Sequence, residues 1–258
     1  MSREGQASQP QPQPQPKYMR IAAELRGALE RGDYQPGDRL PGENTLAADF
    51  GVAPLTMRQA LGVLRSEGLV GSRKGSGWFV ESFHPIRRRG IPRLARGQWG
   101  SGKTIWSADD HRAPDVDQIS VQEDATPPEH ISDVLELAPG ETVCVRSRRY
   151  VMEGRPVMVA KSYLPQSLVA DSPITQASPG PGGIYARLAD LGHPPARFRE
   201  EIRVRMPSAE EAAQLAIPAD RSIIKLARTA FTSEGRAVEI NEMTMDSAAY
   251  VLDYEFDA

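Results

Sequence analysis

Two neighbouring stretches near the start of the chain carry apolar residues at helical intervals. Leu46, Ala47 and Phe50 give one apolar face to a short helix starting near Glu43, and Met57, Leu61 and Leu64 recur at i, i+4 and i+7 in a second helix. Between them, Gly51-Val52-Ala53 reads as a tight turn, because Gly51 supplies the positive φ that ends the first helix. Pro54 suits the first position of the second helix, where its missing N–H costs nothing. The second stripe leaves Leu55, Thr56, Arg58, Gln59 and Ser66 facing outward. The pattern then becomes extended. Leu69-Val70 and Trp78-Phe79-Val80 read as two strands around Ser72-Arg73-Lys74-Gly75-Ser76-Gly77, a segment too small and too basic to be core.

The second half alternates between the two periods. Gln118–Val121 reads as a strand, Pro128–Leu137 as a helix ended by Pro139-Gly140, and Thr142–Met152 with Pro156–Tyr163 as two strands turning at Glu153-Gly154. Gly183–Leu191 reads as helical and Arg199–Met206 as extended. Ser208–Leu215 reads as a helix whose Ser208 and Glu211 have the spacing of a capping box. Ile223–Thr232 and Ala237–Met245 predict a second hairpin across Ser233-Glu234-Gly235. Hairpins with intervening helices argue an α+β domain on a mainly antiparallel sheet.

The N-terminal order of short helix, tight turn, amphipathic helix and basic hairpin is that of a winged helix-turn-helix, which predicts binding to double-stranded DNA. An aliphatic inner face with Thr, Arg and Gln on the outer N-terminal half suits the major groove, where Arg pairs with guanine and Gln with adenine. Arg58 is the first choice for base readout. Ser72, Arg73, Lys74 and Gly75 would form the wing, its cations neutralising phosphates and its glycine allowing close backbone approach. Asn44, at the entry to the first of the two helices, and Leu55 complete the expected DNA-facing set.

Net charge at first argues the other way, since the 258-residue chain carries 31 Lys and Arg against 34 Asp and Glu. By region the picture reverses. Residues 17–105 hold 15 Lys and Arg against 8 Asp and Glu, and residues 106–258 hold 15 against 25. The basic part is the part expected to meet DNA. Residues 9–16 are four Gln-Pro dipeptides, which exclude helix and central strand and predict an extended tail. No apolar stretch approaches a membrane span and the polar N-terminus is unlike a signal peptide, so a cytoplasmic location is expected. The expected division is a tail at 1–16, a DNA-binding domain at 17–82, a basic Gly/Pro-containing linker at 83–107 and a second domain at 108–258. The linker, with Arg87-Arg88-Arg89, Arg93 and Arg96, would either touch phosphate outside the DNA site read by the helices or be solvated.

Specific combinations carry a resemblance. The helix Tyr18–Arg31, Leu40-Pro41-x-Glu43, Leu46-Ala47, Gly51-Val52, Thr56-Met57-Arg58-x-Ala60-Leu61, Glu67-Gly68-Leu69-Val70 and Gly75-x-Gly77-x-Phe79-Val80 together resemble the GntR family of bacterial transcription regulators. The resemblance implies a homodimer on a palindromic operator, most often as a repressor. The chain departs from the family pattern at Asn44, Ala53 and Pro54, where many relatives carry Arg, Ser and Arg. The second half resembles the UTRA effector domain of the HutC branch. The residues that carry this are Leu137-x-Pro139-Gly140, Arg146-x-Arg148, Gly154-Arg155-Pro156-Val157, Ser162-Tyr163-Leu164-Pro165, Leu188-x-x-x-Gly192, Arg228-Thr229 and Gly235-Arg236-x-Val238-Glu239. This implies a chorismate-lyase-like fold that binds a small-molecule effector and then weakens DNA binding. By resemblance, the effector contacts fall to Arg148, Ser162, Tyr163, Arg228, Glu239 and Tyr250. Tyr150, Ala160 and Asp246-Ser247-Ala248 depart from a pattern associated with sugar phosphates. A second unit that only dimerises or binds a protein partner, as in a plasmid-maintenance or transfer repressor, is the alternative.

Catalytic signals are weak. Gly97-Gln98-Trp99-Gly100-Ser101-Gly102-Lys103-Thr104 matches the spacing of a P-loop, but that chemistry needs a buried strand leading in and a helix leading out, and neither is predicted. His84, His111, His130 and His193 lack metal-ligand spacing, and the lone Cys144 sits in a strand-core pattern. No catalytic residue, metal or cofactor is expected, and the protein is read as a non-enzyme.

Overall fold

The computed structural model describes residues 15–73, 75–109 and 113–256, which form two compact units divided at Ser82/Phe83. The first unit packs helices α1 (Lys17–Glu30), α2 (Glu43–Asp49) and α3 (Pro54–Ser66) against a hairpin of β1 (Val70–Arg73) and β2 (Gly77–Val80). The predicted apolar stripe is the buried face of α3, where Met57, Ala60, Leu61 and Leu64 meet Ile21 and Leu25 of α1 and Leu46 of α2. Gly51, at φ +61°, makes the turn between α2 and α3, a conformation that costs a residue bearing Cβ. β1 pairs antiparallel with β2 from Val70↔Val80 to Arg73↔Gly77, and Arg39 bridges to Phe79 as a third extended segment.

The second unit begins with segments expected to be linker. β3 (Ile86–Arg89) is followed by the short helices α4 (Gly90–Leu94) and α5 (Arg96–Trp99) and a 3-10 turn at Ile105–Ala108. The main sheet then takes β4 (Asp115–Ala125), β5 (Val143–Met152), β6 (Arg155–Pro165), β7 (Arg197–Arg205), β8 (Ile223–Phe231) and β9 (Ala237–Asp246). They lie in the order β4-β5-β6-β9-β8-β7, every pair antiparallel. Helices α6 (Glu129–Leu135), α7 (Gln166–Val169), α8 (Gly183–Asp190) and α9 (Ala209–Leu215) connect the strands, and β10 (Tyr250–Asp253) returns to pair in parallel with β3.

The linker reading of residues 83–107 is corrected by this pairing. Arg88 is 1% exposed, with both terminal nitrogens on Glu200 of β7, and Arg93 is 2% exposed against Asp109. Trp99 and Trp106 enter the core of the same unit. Burial first, and the neighbouring Arg88 cation second, lower the Arg93 guanidinium to about 10. Basic residues in a Pro- and Gly-containing run look solvated in sequence, and only their distant acidic partners make burial affordable.

Each sheet face has its own cover. On one face, Ile131 and Leu135 of α6 pack on Val143, Tyr163 and Ile240, while Ala212 and Leu215 of α9 pack on Ile223. The capping box of α9 forms as its spacing predicts: Ser208 accepts from the Glu211 N–H, and Glu211 accepts from the Ser208 N–H. The hydrogen bond from Arg205 is the main cause that holds the Glu211 carboxyl at about 2, against an ordinary 4.5. A carboxyl depressed in the folded state contributes stability that is fully present above about 4.5 and is lost as pH falls toward about 2. Thermal melts of Glu211→Gln are therefore expected to show a deficit against the wild type at pH 7 that shrinks at pH 3; an equal deficit at both would contradict the assignment.

A candidate DNA-contact face and a candidate effector cavity

In the first unit, the residues expected to meet DNA lie on the outer side of α3 and on the wing. Leu55 is 65% exposed, Asn44, Arg58 and Gln59 are exposed, and Thr56 is half-buried. An apolar residue so exposed beside Thr56 and Arg58 is available for a thymine methyl group. The Arg58 guanidinium rests on the Glu43 carboxylate at 2.8 Å, with its side chain still two-thirds exposed. That surface pair is weak enough for a base edge or phosphate to replace. Ser72, Arg73 and Gly75 are exposed at the hairpin tip, where Arg73 stacks over the Phe79 ring at 4.5 Å. Lys74 lies outside the described residues.

In the second unit, the other sheet face carries a polar row that period-2 alternation and register assemble directly. Val121 pairs with Arg146, Arg146 with Ser162, Ser162 with Asn241, Asn241 with Arg228 and Arg228 with Glu200, so one row crosses all six strands. Over it lies a cavity of about 430 Å³. Its polar lining includes Arg146, Arg148, Ser162, Arg228, Glu239 and Asn241. Trp106, Tyr150, Ile119, Ala160 and Ile184 are among its apolar lining. Trp106 and Tyr150 pack ring to ring at 5.2 Å.

The rim is a Pro- and Gly-rich strap, residues 174–182, leading into α8. Arg146 donates to the carbonyls of Ile174, Gln176 (2.6 Å) and Ala177 (3.1 Å), and Arg148 donates to Ala177 at 2.8 Å. The Gly182 N–H bonds the Gly102 carbonyl at 3.2 Å. A Cβ at Gly182 would lie 2.5 Å from the Trp99 carbonyl oxygen, and its φ of +76° independently favours glycine.

The deepest groups are incompletely paired. Arg228 is 3% and Glu239 1% exposed, yet Arg228 Nε and Nη1, Glu239 Oε2 and Asn241 Oδ1 have no hydrogen-bond partner among the described residues. Burial pulls the Arg228 guanidinium down, but Tyr185, Glu239 and Glu200 outweigh it and hold the group above its ordinary value, so it stays charged. Buried polar atoms are almost always satisfied in native proteins, so several unsatisfied ones facing one cavity make it a candidate ligand site.

Four of the six expected effector residues, Arg148, Ser162, Arg228 and Glu239, line this cavity. Tyr163 and Tyr250 do not. Tyr163 follows Ser162 on β6 and so points to the opposite face, into the core with Ile131 and Leu135. Tyr250 opens β10 and packs with Ile86 and Trp106. Sequence reasoning missed Arg146, Asn241 and the strap. The spacing Arg146-x-Arg148-x-Tyr150 could have found Arg146, because those three share a strand face. Tyr150 and Ala160, noted as departures, both line the cavity. The Gly97–Thr104 segment begins inside the short helix α5, follows α4 and is followed by a 3-10 turn, so it lacks the strand-to-helix setting of a nucleotide loop. Cys144 is buried, and burial raises its thiol above the ordinary value, as befits core rather than nucleophile. No helix among the described residues is long and apolar enough to cross a membrane.

Comparison with known proteins matches both units. The family model "Bacterial regulatory proteins, gntR family" covers residues 17–80, and the UTRA domain model covers residues 110–251. An uncharacterized HTH-type transcriptional regulator of Streptomyces coelicolor is 29% identical over 249 residues, spanning 93% of this chain and 92% of that protein. The HTH-type transcriptional repressor NagR of Bacillus subtilis is 26% identical over 224 residues, spanning 86% and 87%. Among solved structures, a GntR-family transcriptional regulator superposes with a TM-score of 0.63 at 25% identity, covering 95% of this chain and 98% of that one. These relatives are regulators of transcription rather than enzymes. With a helix-turn-helix unit followed by an antiparallel-sheet effector unit, the chain belongs to the GntR family of bacterial transcription regulators, in the HutC-like branch that carries a UTRA domain.

Proposed function

We propose that the protein is a homodimeric repressor acting in the cytoplasm, which binds a palindromic operator through its winged helix and is released when a small molecule fills the cavity of its second unit. The observation that carries the effector reading is the pair Arg228 and Glu239, buried at the cavity floor with unpartnered polar atoms. The repressor role is supported by the relative named as a transcriptional repressor. Dimerisation through the second unit is supported by Ile202, Val204 and Met206, exposed on and just beyond the edge strand β7. Two half-sites about one helical turn apart follow from two-fold symmetry.

Arg58 reads bases and the wing holds the backbone. Arg58→Ala is expected to cost about 1–3 kcal/mol on the preferred site and to relax sequence preference, whereas Arg73→Ala should weaken binding to all duplexes and lower the salt slope by about one. Titrations on specific and random duplexes over a salt series separate the two, and equal losses on both duplexes for both variants would contradict the assignment.

A second reading, in which the C-terminal unit only dimerises, draws on the strap carbonyls already holding Arg146 and Arg148. Ligand-induced thermal stabilisation of the full chain, coupled to operator release, decides between them.

A further inference from the structure

The cavity floor specifies a ligand class, an argument that rests on reading the cavity as an effector site. The terminal nitrogens of Arg146 and the Nη2 of Arg148 are committed to strap carbonyls. Two parallel N–H donors from one guanidinium are what grip a phosphate, and that fork is already occupied on Arg146 and half occupied on Arg148. The uncommitted buried groups deeper in are of opposite sign. Arg228 offers Nε and Nη1 as donors, with Arg146 Nε, Arg148 Nε and the Tyr185 hydroxyl as further unpartnered donors on the lining, while Glu239 Oε2 and Asn241 Oδ1 are the acceptors that await donors. Arg228 faces Asn241 directly across β8 and β9, and Glu239 faces Ala230 two residues along, so all three stand on one face as direct or diagonal neighbours.

A phosphate would satisfy Arg228 but meet the charge of Glu239, and a simple amine would satisfy Glu239 but meet Arg228. A head with an anionic acceptor and a cationic donor on one carbon answers both. Trp106, Tyr150, Ile119, Ala160 and Ile184 form an apolar part of the remaining lining, which suits an apolar body. A volume of about 430 Å³ lies toward the small end of ligand pockets. We infer that the effector is an α-amino acid with an apolar side chain, its carboxylate received by Arg228, its ammonium by Glu239 and Asn241, and its side chain by the Trp106–Tyr150 wall.

The test is calorimetric titration of the full-length protein with L-phenylalanine, L-leucine, phenylpropionate, phenylethylamine and glucose 6-phosphate. The two amino acids are expected to bind, and removal of either head charge should weaken affinity about 10- to 100-fold, the loss of one charge-assisted contact. Glu239→Gln should weaken L-phenylalanine by a similar factor and strengthen phenylpropionate, because it removes the charge that opposes a bare carboxylate on Arg228, a split that general misfolding would not produce. Binding of glucose 6-phosphate with no response to either amino acid would overturn the amino-acid class and leave the effector reading intact. Absence of heat with every probe and with a small-metabolite extract would overturn both.

Discussion

Replacing Glu200 by alanine is expected to destabilise the second unit by about 3–5 kcal/mol, because it leaves the Arg88 guanidinium buried with no carboxylate. Arg88 is 1% exposed and donates to both Glu200 oxygens, and Tyr254 donates to Glu200 Oε2 at 2.6 Å. Burial alone would raise the Glu200 pKa, but the Arg88 hydrogen bond and charge outweigh it and hold the carboxyl below its ordinary value. The network joins β3 and the segment after β10 to the edge strand β7, so its loss loosens the layer that carries Trp106 to the cavity wall. Urea denaturation measures the effect. The paired change Arg88→Met with Glu200→Leu is expected to recover most of the loss, since a well-packed apolar pair can replace a buried ion pair. A loss below about 1 kcal/mol for Glu200→Ala would match an exposed pair and contradict the burial argument.

Leu61→Ala is expected to cost the first unit about 2–5 kcal/mol, the usual range for emptying a fully buried leucine site. Leu61 has no exposed surface and belongs to the cluster that joins α1, α2, α3 and the wing. A unit this small has little stability in reserve. The variant should lose DNA binding at moderate temperature through unfolding, with no contact to DNA removed. Differential scanning calorimetry is expected to show the first unit's transition shifted down or absent and the second unit's retained. Unchanged melting would mean that the stripe is not the core of the DNA-binding unit.

Legibility in the sequence followed the range of the interactions. The α2–turn–α3 unit and the wing are written locally, in the spacing of Met57, Leu61 and Leu64, in Gly51 and Pro54, and in the glycines at the hairpin tip. The strands β5, β6, β8 and β9 were also readable, to within a few residues, because turns at Gly154 and Gly235 punctuate them. What failed depended on distant partners. Arg88 and Arg93 looked solvated until Glu200 and Asp109 were brought against them. Tyr163 and Ser162 were both assigned to the pocket, although adjacent strand residues face opposite sides. Tyr250 was placed by resemblance, and its true setting arises from the parallel pairing of β10 with β3, which no local pattern announces.

The strap ties together two elements that line the cavity. Its carbonyls hold Arg146 and Arg148, and its glycines at Gly180 and Gly182 adopt positive φ where it turns toward α8. Ligand contact with Ile184 or Tyr150 would act on the same elements that these arginines tie together.

The central claim is that the first unit recognises a specific operator through Arg58. It is tested most directly by selecting duplexes from a random pool with the purified full-length protein and repeating the selection with Arg58→Ala. The account predicts a palindrome with half-sites about one helical turn apart, enriched by the wild type and lost or relaxed in the variant. The same palindrome enriched equally by both proteins, or no enrichment by either, would contradict it.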